Sequence, residues 1–237
     1  MYNLARREKL LDSFLLLCLL FAAALLVITA KQLSSEPTVA EEETQCLVID
    51  PGHGGIDGGA IAFNGIKESE INLSIGLKLR SLADLFGIPT VVTREDDSVC
   101  SEQETYSEHD DLVRRTEIIN SAPNGILISI HQNFYPTSQP SGAQVLYASG
   151  EKSRAFGELT QSNLVSTLQP GNRRLSEPAS KKLYITSHVS CPAILVECGF
   201  LSNITDLELL SRDTYQSMLA AVLMASYLQF ITLGAFT

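Results

Sequence analysis

The sequence is poor in positive charge. Its 237 residues include 17 Lys and Arg against 27 Asp and Glu, which gives a formal net charge of -10 at pH 7. A sequence-independent grip on nucleic-acid phosphates needs a cluster of positive side chains, so this composition argues against nucleic-acid binding. Long low-complexity stretches are also lacking, and 45% of the residues are hydrophobic. Intrinsic disorder of the whole chain is therefore excluded, and the length suits one globular domain.

Cysteine is also scarce, with five in the chain. Cys18 falls in an apolar run near the N-terminus, which leaves Cys46, Cys100, Cys191 and Cys198 for the remainder. This number is too small for a disulfide scaffold, and the spacing does not match a zinc knuckle. If Cys191 and Cys198 flank an extended strand, their Cα atoms lie about 20 Å apart, which is too far for a disulfide. Free thiols are expected for these two.

The longest apolar run extends from Phe14 to Ile28, or to Ala30 if Thr29 is included. Its length lies between that of a short membrane span and that of a long signal-peptide core. Ile28 stands where a signal-peptidase site prefers a small residue, which favours an uncleaved transmembrane anchor over residues 13–30. A cleaved signal segment, which would give a secreted form, is the alternative.

The charges on either side of this run predict its orientation. Residues 1–12 include Arg6, Arg7 and Lys9, whereas residues 31–45 contain several glutamates and a single lysine. By the positive-inside rule, the N-terminus lies in the cytoplasm and the rest of the chain lies outside it. Residues 31–45 have no apolar period and are interpreted as a polar tether.

A catalytic domain is predicted over residues 46–232, where short apolar runs alternate with segments of helical period. Buried strands are predicted at Cys46–Asp50, Ile88–Thr93, Ile126–Ile130 and Ala193–Val196, a weaker strand at Ala143–Ala148 and a short edge-like segment at Leu183–Thr186. Helices are predicted at Glu68–Phe86, Leu112–Ile119, Ser153–Thr167 and Asp213–Ile231, and a solvated acidic loop at Glu95–Asp111. This alternation predicts an α/β single domain with a mainly parallel twisted sheet flanked by helices, preceded by one N-terminal transmembrane helix. No appended binding module is expected.

The residues that follow the strongly predicted strands have side chains that can bind a metal or transfer a proton. Five glycines surround His53 in the loop after the first strand, His131 follows the third strand, and Glu197 follows the fourth. Glu68 stands at the start of the first helix. Functional groups in parallel sheets gather beyond the carboxyl ends of the strands, so these four side chains are expected to meet.

Two histidines and two glutamates form the set that a hydrolytic zinc site requires. Catalytic zinc takes three protein ligands and keeps a position for water, whose pKa falls to about 7, while a separate carboxylate accepts the proton. His53, Glu68 and His131 as ligands with Glu197 as the base satisfy this division. Chemistry alone does not exclude the alternative assignment, in which Glu197 is a ligand and Glu68 is the base. Each signal is weak by itself, because a lone histidine is more often structural and Glu68 also suits a helix N-terminus.

Four motifs carry a family resemblance. They are Val-Ile-Asp-Pro-Gly-His-Gly-Gly-Ile-Asp-Gly-Gly-Ala (48–60), Lys-Glu-Ser-Glu-Ile-Asn-Leu-Ser-Ile (67–75), Ser-Ile-His-Gln-Asn (129–133) and Leu-Val-Glu-Cys-Gly-Phe-Leu-Ser-Asn (195–203). In this order they resemble the zinc-dependent N-acetylmuramoyl-L-alanine amidases. The resemblance implies one Zn²⁺ per chain held by His53, Glu68 and His131, with Glu197 catalytic. It also implies hydrolysis of the amide between the lactyl group of N-acetylmuramic acid and the L-alanine of the peptide stem.

Within the family, a short catalytic domain behind one membrane segment is similar to the sporulation-type amidases of the spore cortex. There, removal of the stem peptide precedes formation of muramic-δ-lactam. The chain departs mildly from the family at Glu68-Ser69, where Glu-Lys is common. The expected partners are the peptidoglycan glycan strand and stem peptide, and the membrane through residues 13–30. The sequence leaves open whether the enzyme also needs an activating protein.

Three further residues are weaker candidates for substrate binding. Arg94 and Arg115 could meet a substrate carboxylate or form structural ion pairs, and Asn133 could bind a ligand or fix the His131 loop. His109 and His188 are interpreted as structural, because neither follows a strong strand. Two other functions remain open: another peptidoglycan-directed zinc hydrolase, such as a carboxypeptidase or deacetylase, and a non-catalytic wall-binding regulator.

Overall fold

The computed structural model describes residues 44–103 and 105–234. The predicted N-terminus at 1–12, the anchor at 13–30 and nearly all of the tether lie outside the described residues. The described strands are β1 (Cys46–Pro51), β2 (Thr90–Val92), β3 (Gly125–Asn133), β4 (Gln144–Tyr147), β5 (Glu177–Pro178) and β6 (Ala193–Phe200). The described helices are α1 (Glu68–Leu85), α2 (Glu108–Ser121), α3 (Glu151–Thr167), α4 (Tyr184–His188), α5 (Ile204–Leu210) and α6 (Asp213–Gly234).

The strands form one sheet in the order β2-β1-β3-β6-β4-β5. The pairs β1–β2, β1–β3, β3–β6 and β4–β5 are parallel, whereas β4 runs antiparallel to β6. The predicted α/β domain with a mainly parallel sheet is confirmed, with one antiparallel pair that makes the sheet mixed. Because β1, β3 and β6 are parallel neighbours, their carboxyl ends meet at one edge, and the register places His131 directly beside Glu197.

Both faces of the sheet are buried. On one face, Ile49 of β1 and Val196 of β6 pack in a large apolar cluster with residues of α1, α3, α5 and α6. On the other face, Val48 and Leu127 pack in a smaller cluster with Ile119 of α2 and with a residue of α4. The central strands therefore need apolar side chains on both sides. This explains why their sequences are continuously apolar and do not alternate between apolar and polar residues.

The prediction of an edge-like segment at Leu183–Thr186 is wrong. This stretch enters the single turn of α4, where the amide of Ser187 and the hydroxyl of Thr186 both donate to the carbonyl of Leu183. A four-residue apolar run has no periodicity that separates a strand from a helical turn, so the local bonds decide. The edge position beside β4 belongs instead to β5, which the apolar pattern does not reveal because Glu177 and Pro178 are exposed.

Two other boundaries differ from the prediction. The acidic loop ends earlier than Asp111, because the hydroxyl of Ser107 accepts from the amide of Asp110 and caps α2. The helix α5 was not predicted, although the side chain of Asn203 caps it by accepting from the amides of Thr205 and Asp206. Both helices begin at an N-cap that supplies an acceptor for otherwise unpaired amides.

Helix α6 is the one helix in the described ranges that is long and apolar enough to cross a membrane, over Asp213–Leu233 with a mean hydropathy of 1.4. It packs against α1 and α3, and Leu219, Leu223 and Tyr227 are fully buried in the large apolar cluster. Its apolar character is therefore explained in part by the core that it completes.

Candidate active site

Three of the sequence-predicted residues converge at the carboxyl edge of the sheet. His53 follows β1, Glu68 is the first residue of α1, and His131 lies near the end of β3. Oε1 of Glu68 lies 3.0 Å from Nδ1 of His131 and 3.4 Å from Nε2 of His53. One ligand atom from each of the three residues lies within 4.8 Å of the others. Two imidazole nitrogens and a carboxylate oxygen are donors that zinc accepts.

Glycines allow the three side chains to come this close. A Cβ atom on Gly52 would stand 2.2 Å from Cε1 of His131, and one on Gly59 would stand 2.7 Å from Oε2 of Glu68. Gly59 also has a φ of 65°, and His53 itself has a φ of 61°. This left-handed backbone is uncommon for a residue with a side chain and costs on the order of 1–3 kcal/mol. The surrounding structure must therefore hold His53 in place.

Glu68 is buried and held as an anion. Its Oε2 accepts from the amide of Ala60 at 3.0 Å, and its Oε1 accepts from the amide of Gln132 at 3.0 Å and lies 3.5 Å from Nδ2 of Asn72. Burial alone raises the pKa of Glu68, but the contacts with His131 and His53 outweigh it and hold the pKa well below its usual value. The carboxylate is thus charged and fixed before any ligand arrives.

His53 lies between two carboxylates. Its Nδ1 is 2.7 Å from Oδ2 of Asp57, while its Nε2 faces Glu68. Burial lowers the pKa of His53, but Asp57 and Glu68 overcome this effect and raise it to about 10. Surroundings that attract a proton this strongly also favour a metal cation in its place. The donor set and its charge therefore fit a divalent metal ion, and the three residues that could hold it are His53, Glu68 and His131.

Glu197 lies beside this cluster without belonging to it. It pairs with His131 across the β3–β6 ladder, and its Oε2 is buried with no hydrogen-bond partner among the described residues. Burial raises the pKa of Glu197 to about 7, with the negative charge of Glu68 acting in the same direction. A carboxyl group with this pKa can accept and return a proton at neutral pH. This geometry favours Glu68 over Glu197 as the ligand.

The structure does not support a substrate contact by Arg94 or Arg115. Both side chains are buried. Arg115 forms ion pairs with Asp50 at 2.8 Å and with Asp111 at 2.7 Å, which is the structural alternative considered for it. Arg94 donates to backbone carbonyls, including that of Pro51 at 2.9 Å. Both guanidinium groups therefore bind partners inside the protein and do not face a ligand.

The other candidates lie outside the three-residue cluster. Asn133 ends β3, and its backbone carbonyl accepts from the amide of Leu201 at 2.8 Å, so it stays a candidate at the edge of the site. His109 and His188 are exposed on α2 and α4, and each packs against the ring of Tyr184.

Among residues 44–103 and 105–234, Cys191 and Cys198 are free thiols, as predicted, and Cys46 and Cys100 are also unpaired.

Sequence reasoning missed three residues that support the ligands. Asp57 contacts His53, and Asn72 and Gln132 form a buried pair in which Nε2 of Gln132 donates to Oδ1 of Asn72 at 3.1 Å. Asp57 stands four residues after His53 in the glycine loop, and Gln132 directly follows His131. A search for polar residues next to the candidate ligands would have found two of the three.

An α/β domain that joins a His–Glu–His cluster to a neighbouring unpaired carboxylate has the design of a metal-dependent hydrolase. Comparison with known proteins makes this class specific, because residues 47–226 match the family model described as N-acetylmuramoyl-L-alanine amidase. The match spans most of the sequence. The chain belongs to this family of peptidoglycan-cleaving enzymes.

Individual relatives agree with the family match. The chain is 31% identical over 197 residues to the germination-specific N-acetylmuramoyl-L-alanine amidase of Bacillus subtilis, covering 78% of this chain and 79% of that protein. It is also similar to the CwlD amidase of Clostridioides difficile, solved in complex with the GerS lipoprotein, with 32% identity and a TM-score of 0.76 over 80% of this chain and 100% of that one. An N-acetylmuramoyl-L-alanine amidase of Clostridium difficile 630 gives 28% identity and a TM-score of 0.70 over 81% and 98%.

Proposed function

We propose that the chain is a zinc-dependent amidase that cleaves the bond between N-acetylmuramic acid and L-alanine with Glu197 as its general base. The observation that carries this proposal is the meeting of His53, Glu68 and His131 beside Glu197, whose Oε2 is buried without a hydrogen-bond partner among the described residues. When bound by these three residues, Zn²⁺ supplies a Lewis acid that polarises the scissile carbonyl and lowers the pKa of water.

The residues of the chain supply the proton transfers. Glu197 accepts a proton from the attacking water and returns it to the departing nitrogen of L-alanine, so one carboxyl group serves both steps. Without metal, burial raises the pKa of Glu197 to about 7, and a cation held beside it would favour the ionised form that accepts the proton. Asp57 holds the ring of His53 through Nδ1, which leaves Nε2 free to bind the metal. Asn133 is proposed to contact substrate at the edge of the site.

The proposal is tested with the full-length chain and muropeptides that carry an intact peptide stem. Zinc content is measured by elemental mass spectrometry, and products are identified by mass spectrometry before and after chelation and after return of Zn²⁺. The parent is expected to hold one zinc ion and to release the stem peptide. Glu197→Gln is expected to keep the zinc and lose hydrolysis, whereas His53→Ala loses both. Hydrolysis by Glu197→Gln near the parent rate would overturn the assignment of the base.

The same experiment separates the alternative functions. A carboxypeptidase would shorten the stem peptide at its C-terminus, a deacetylase would release acetate from the sugar, and a wall-binding regulator would leave the muropeptide unchanged. Only the proposed amidase releases an intact stem that begins with L-alanine.

A role in the spore cortex is supported by the similarity to the germination-specific amidase and to CwlD. Removal of stem peptides there would supply the muramic acid that is converted to muramic-δ-lactam. In sporulating cells whose only amidase of this type is this chain, the cortex is expected to contain the lactam, and the Glu197→Gln variant is expected to abolish it. Equal lactam content with both chains would refute the cortex role.

Location and partner are the last parts of the proposal. The catalytic domain is proposed to lie outside the cytoplasm, held by residues 13–30, and its similarity to proteins named cell wall amidases supports this location. Accessibility of an engineered tag after residue 234 to a protease added outside intact cells tests the location.

A protein partner is proposed because the CwlD structure contains the GerS lipoprotein. Full hydrolysis by the purified chain with zinc alone would show that no activating partner is required.

A further inference from the structure

We propose that Arg94 and Arg115 together are positioning residues that hold the backbone of the loop after β1, so that His53 is presented to the metal. The proposal rests on the zinc-dependent function proposed above and assigns to these two side chains a role different from substrate binding. Three consecutive carbonyl groups, those of Pro51, Gly52 and His53, accept hydrogen bonds from the two guanidinium groups.

Arg115 reaches the loop from α2. Its Nη1 donates to the carbonyl of Pro51 at 2.9 Å, and its Nη2 donates to the carbonyl of His53 at 2.6 Å. The remaining donors bind Asp50 at 2.8 Å through Nη1 and Asp111 at 2.7 Å through Nε. The two carboxylates neutralise and orient the guanidinium, which therefore holds the loop without leaving an unpaired positive charge in the interior.

Arg94 is the second residue after β2, and its side chain extends to the same loop. Its Nε donates to the carbonyl of Pro51 at 2.9 Å, and its Nη2 donates to the carbonyls of Gly52 at 3.1 Å and Ser69 at 2.9 Å. Ser69 directly follows the ligand Glu68 at the start of α1. One side chain thus ties the loop that carries His53 to the helix that carries Glu68.

The contacts explain how His53 is kept in a left-handed backbone conformation. Its φ of 61° is strained for a residue with a side chain, and the glycines around it allow the loop many other conformations. The two forked guanidinium groups bind the carbonyls before His53 and the carbonyl of His53 itself. Lysine offers a single ammonium group instead of this fixed fork, so it can replace the charge of either arginine but not its pattern of bonds.

The experiment uses Arg94→Lys and Arg115→Lys in the full-length chain, with Leu164→Ala as a control for loss of stability. Leu164 is fully buried on α3 in the large apolar cluster, and the control lowers stability away from the loop. The dissociation constant for Zn²⁺ is measured by competition with a chelating dye at a temperature where all chains are folded. Each arginine variant is expected to bind Zn²⁺ about 10–100-fold more weakly than the parent, as for other residues that support metal ligands. The control is expected to have the same dissociation constant for Zn²⁺ as the parent.

Two further readouts separate positioning from a merely structural role. The visible spectrum of the Co²⁺-loaded arginine variants is expected to differ from that of the parent, because the position of His53 changes. In the chelator-treated chain, the amides of Gly54 and Asp57, which bond each other's carbonyls, are expected to exchange hydrogen faster in the variants but not in the control. If either folded variant matches the parent in zinc constant, Co²⁺ spectrum and amide exchange, the inference is overturned. Failure of the proposed function is a different result, in which the parent itself binds no zinc.

Discussion

Nδ1 of His53 lies 2.7 Å from Oδ2 of Asp57, while Nε2 of the same ring faces Glu68. The carboxylate of Asp57 is itself fixed, because its Oδ1 accepts from the amide of Gly59 at 3.1 Å. A carboxylate in this position selects the tautomer with the proton on Nδ1 and makes Nε2 a better ligand. The binding of metal by His53 therefore depends on a residue that does not touch the metal.

Replacement of Asp57 tests this dependence. Asp57→Ala is expected to weaken zinc binding about 10–100-fold, because the ring of His53 loses its orientation and its acceptor. The change is measured by chelator competition at pH 7.5. Asp84→Ala is the matched control, since Asp84 is an exposed carboxylate on α1. Equal zinc constants for Asp57→Ala and the parent would show that the contact has no part in metal binding.

Glu197 links stability to pH in the chelator-treated chain. Burial raises its pKa to about 7 in the folded protein, so folding favours the protonated form. The stability of the parent is therefore full below the unfolded pKa near 4.5 and falls as the pH rises through 7. Glu197→Gln has no such dependence and is expected to gain about 3 kcal/mol over the parent at pH 8 but little at pH 4.5.

Chemical denaturation of both chains between pH 4.5 and 8 measures this difference. Addition of Zn²⁺ is expected to reduce it, because a nearby cation favours the ionised carboxylate. A constant difference across the pH range would mean that burial does not raise the pKa of Glu197.

Much of the site could be predicted because its functional residues are close in sequence to apolar runs that clearly indicate buried strands. Apolar runs locate β1, β3 and β6, and the residues that follow the apolar runs of parallel strands lie at one edge, so His53, His131 and Glu197 could be brought together from sequence alone. The interpretation of Arg94 and Arg115 could not be decided in this way. Whether a guanidinium faces a ligand or the interior depends on the packing of loops, which has no periodic pattern.

The same reason explains the errors in the fold. The exposed pair Glu177 and Pro178 forms β5 through backbone bonds beside β4, without any apolar pattern of its own. The single turn of α4 replaced a predicted edge-like segment, since its residues are too few to show a period. Short elements are determined by their neighbours rather than by their own sequence.

The buried ion pair between Asp50 and Arg115 predicts acid sensitivity. Burial alone raises the pKa of Asp50, but Arg115 and the hydroxyls of Ser129 and Thr93 outweigh it and hold the pKa below its usual value. The contribution of Asp50 to stability is therefore present above the unfolded pKa near 4 and is lost as the pH falls through the lower folded pKa.

Asp50→Asn is expected to lose about 3 kcal/mol of unfolding free energy at pH 7, because it leaves the buried guanidinium with one anionic partner fewer. The deficit relative to the parent should shrink as the pH falls below 4. Chemical denaturation at pH 7, 5 and 3 gives the comparison. Asp84→Asn, which removes an exposed carboxylate, is expected to change the free energy by less than about 0.5 kcal/mol. A deficit for Asp50→Asn that is the same at pH 7 and pH 3 would contradict the pairing.

Gly52 leaves no room for a side chain beside the ring of His131. An added methyl group there would stand 2.2–2.7 Å from three atoms of the His131 ring, a separation that forces the ring or the loop to move. Gly52→Ala is therefore expected to lose zinc binding and muropeptide hydrolysis together, even though alanine suits the backbone of Gly52, which has no positive φ. Gly171→Ala is the control, because a methyl group at Gly171 meets nothing within 4 Å. If Gly52→Ala kept the parent zinc constant, His131 could not be held where the structure places it, and the ligand set would have to be assigned again.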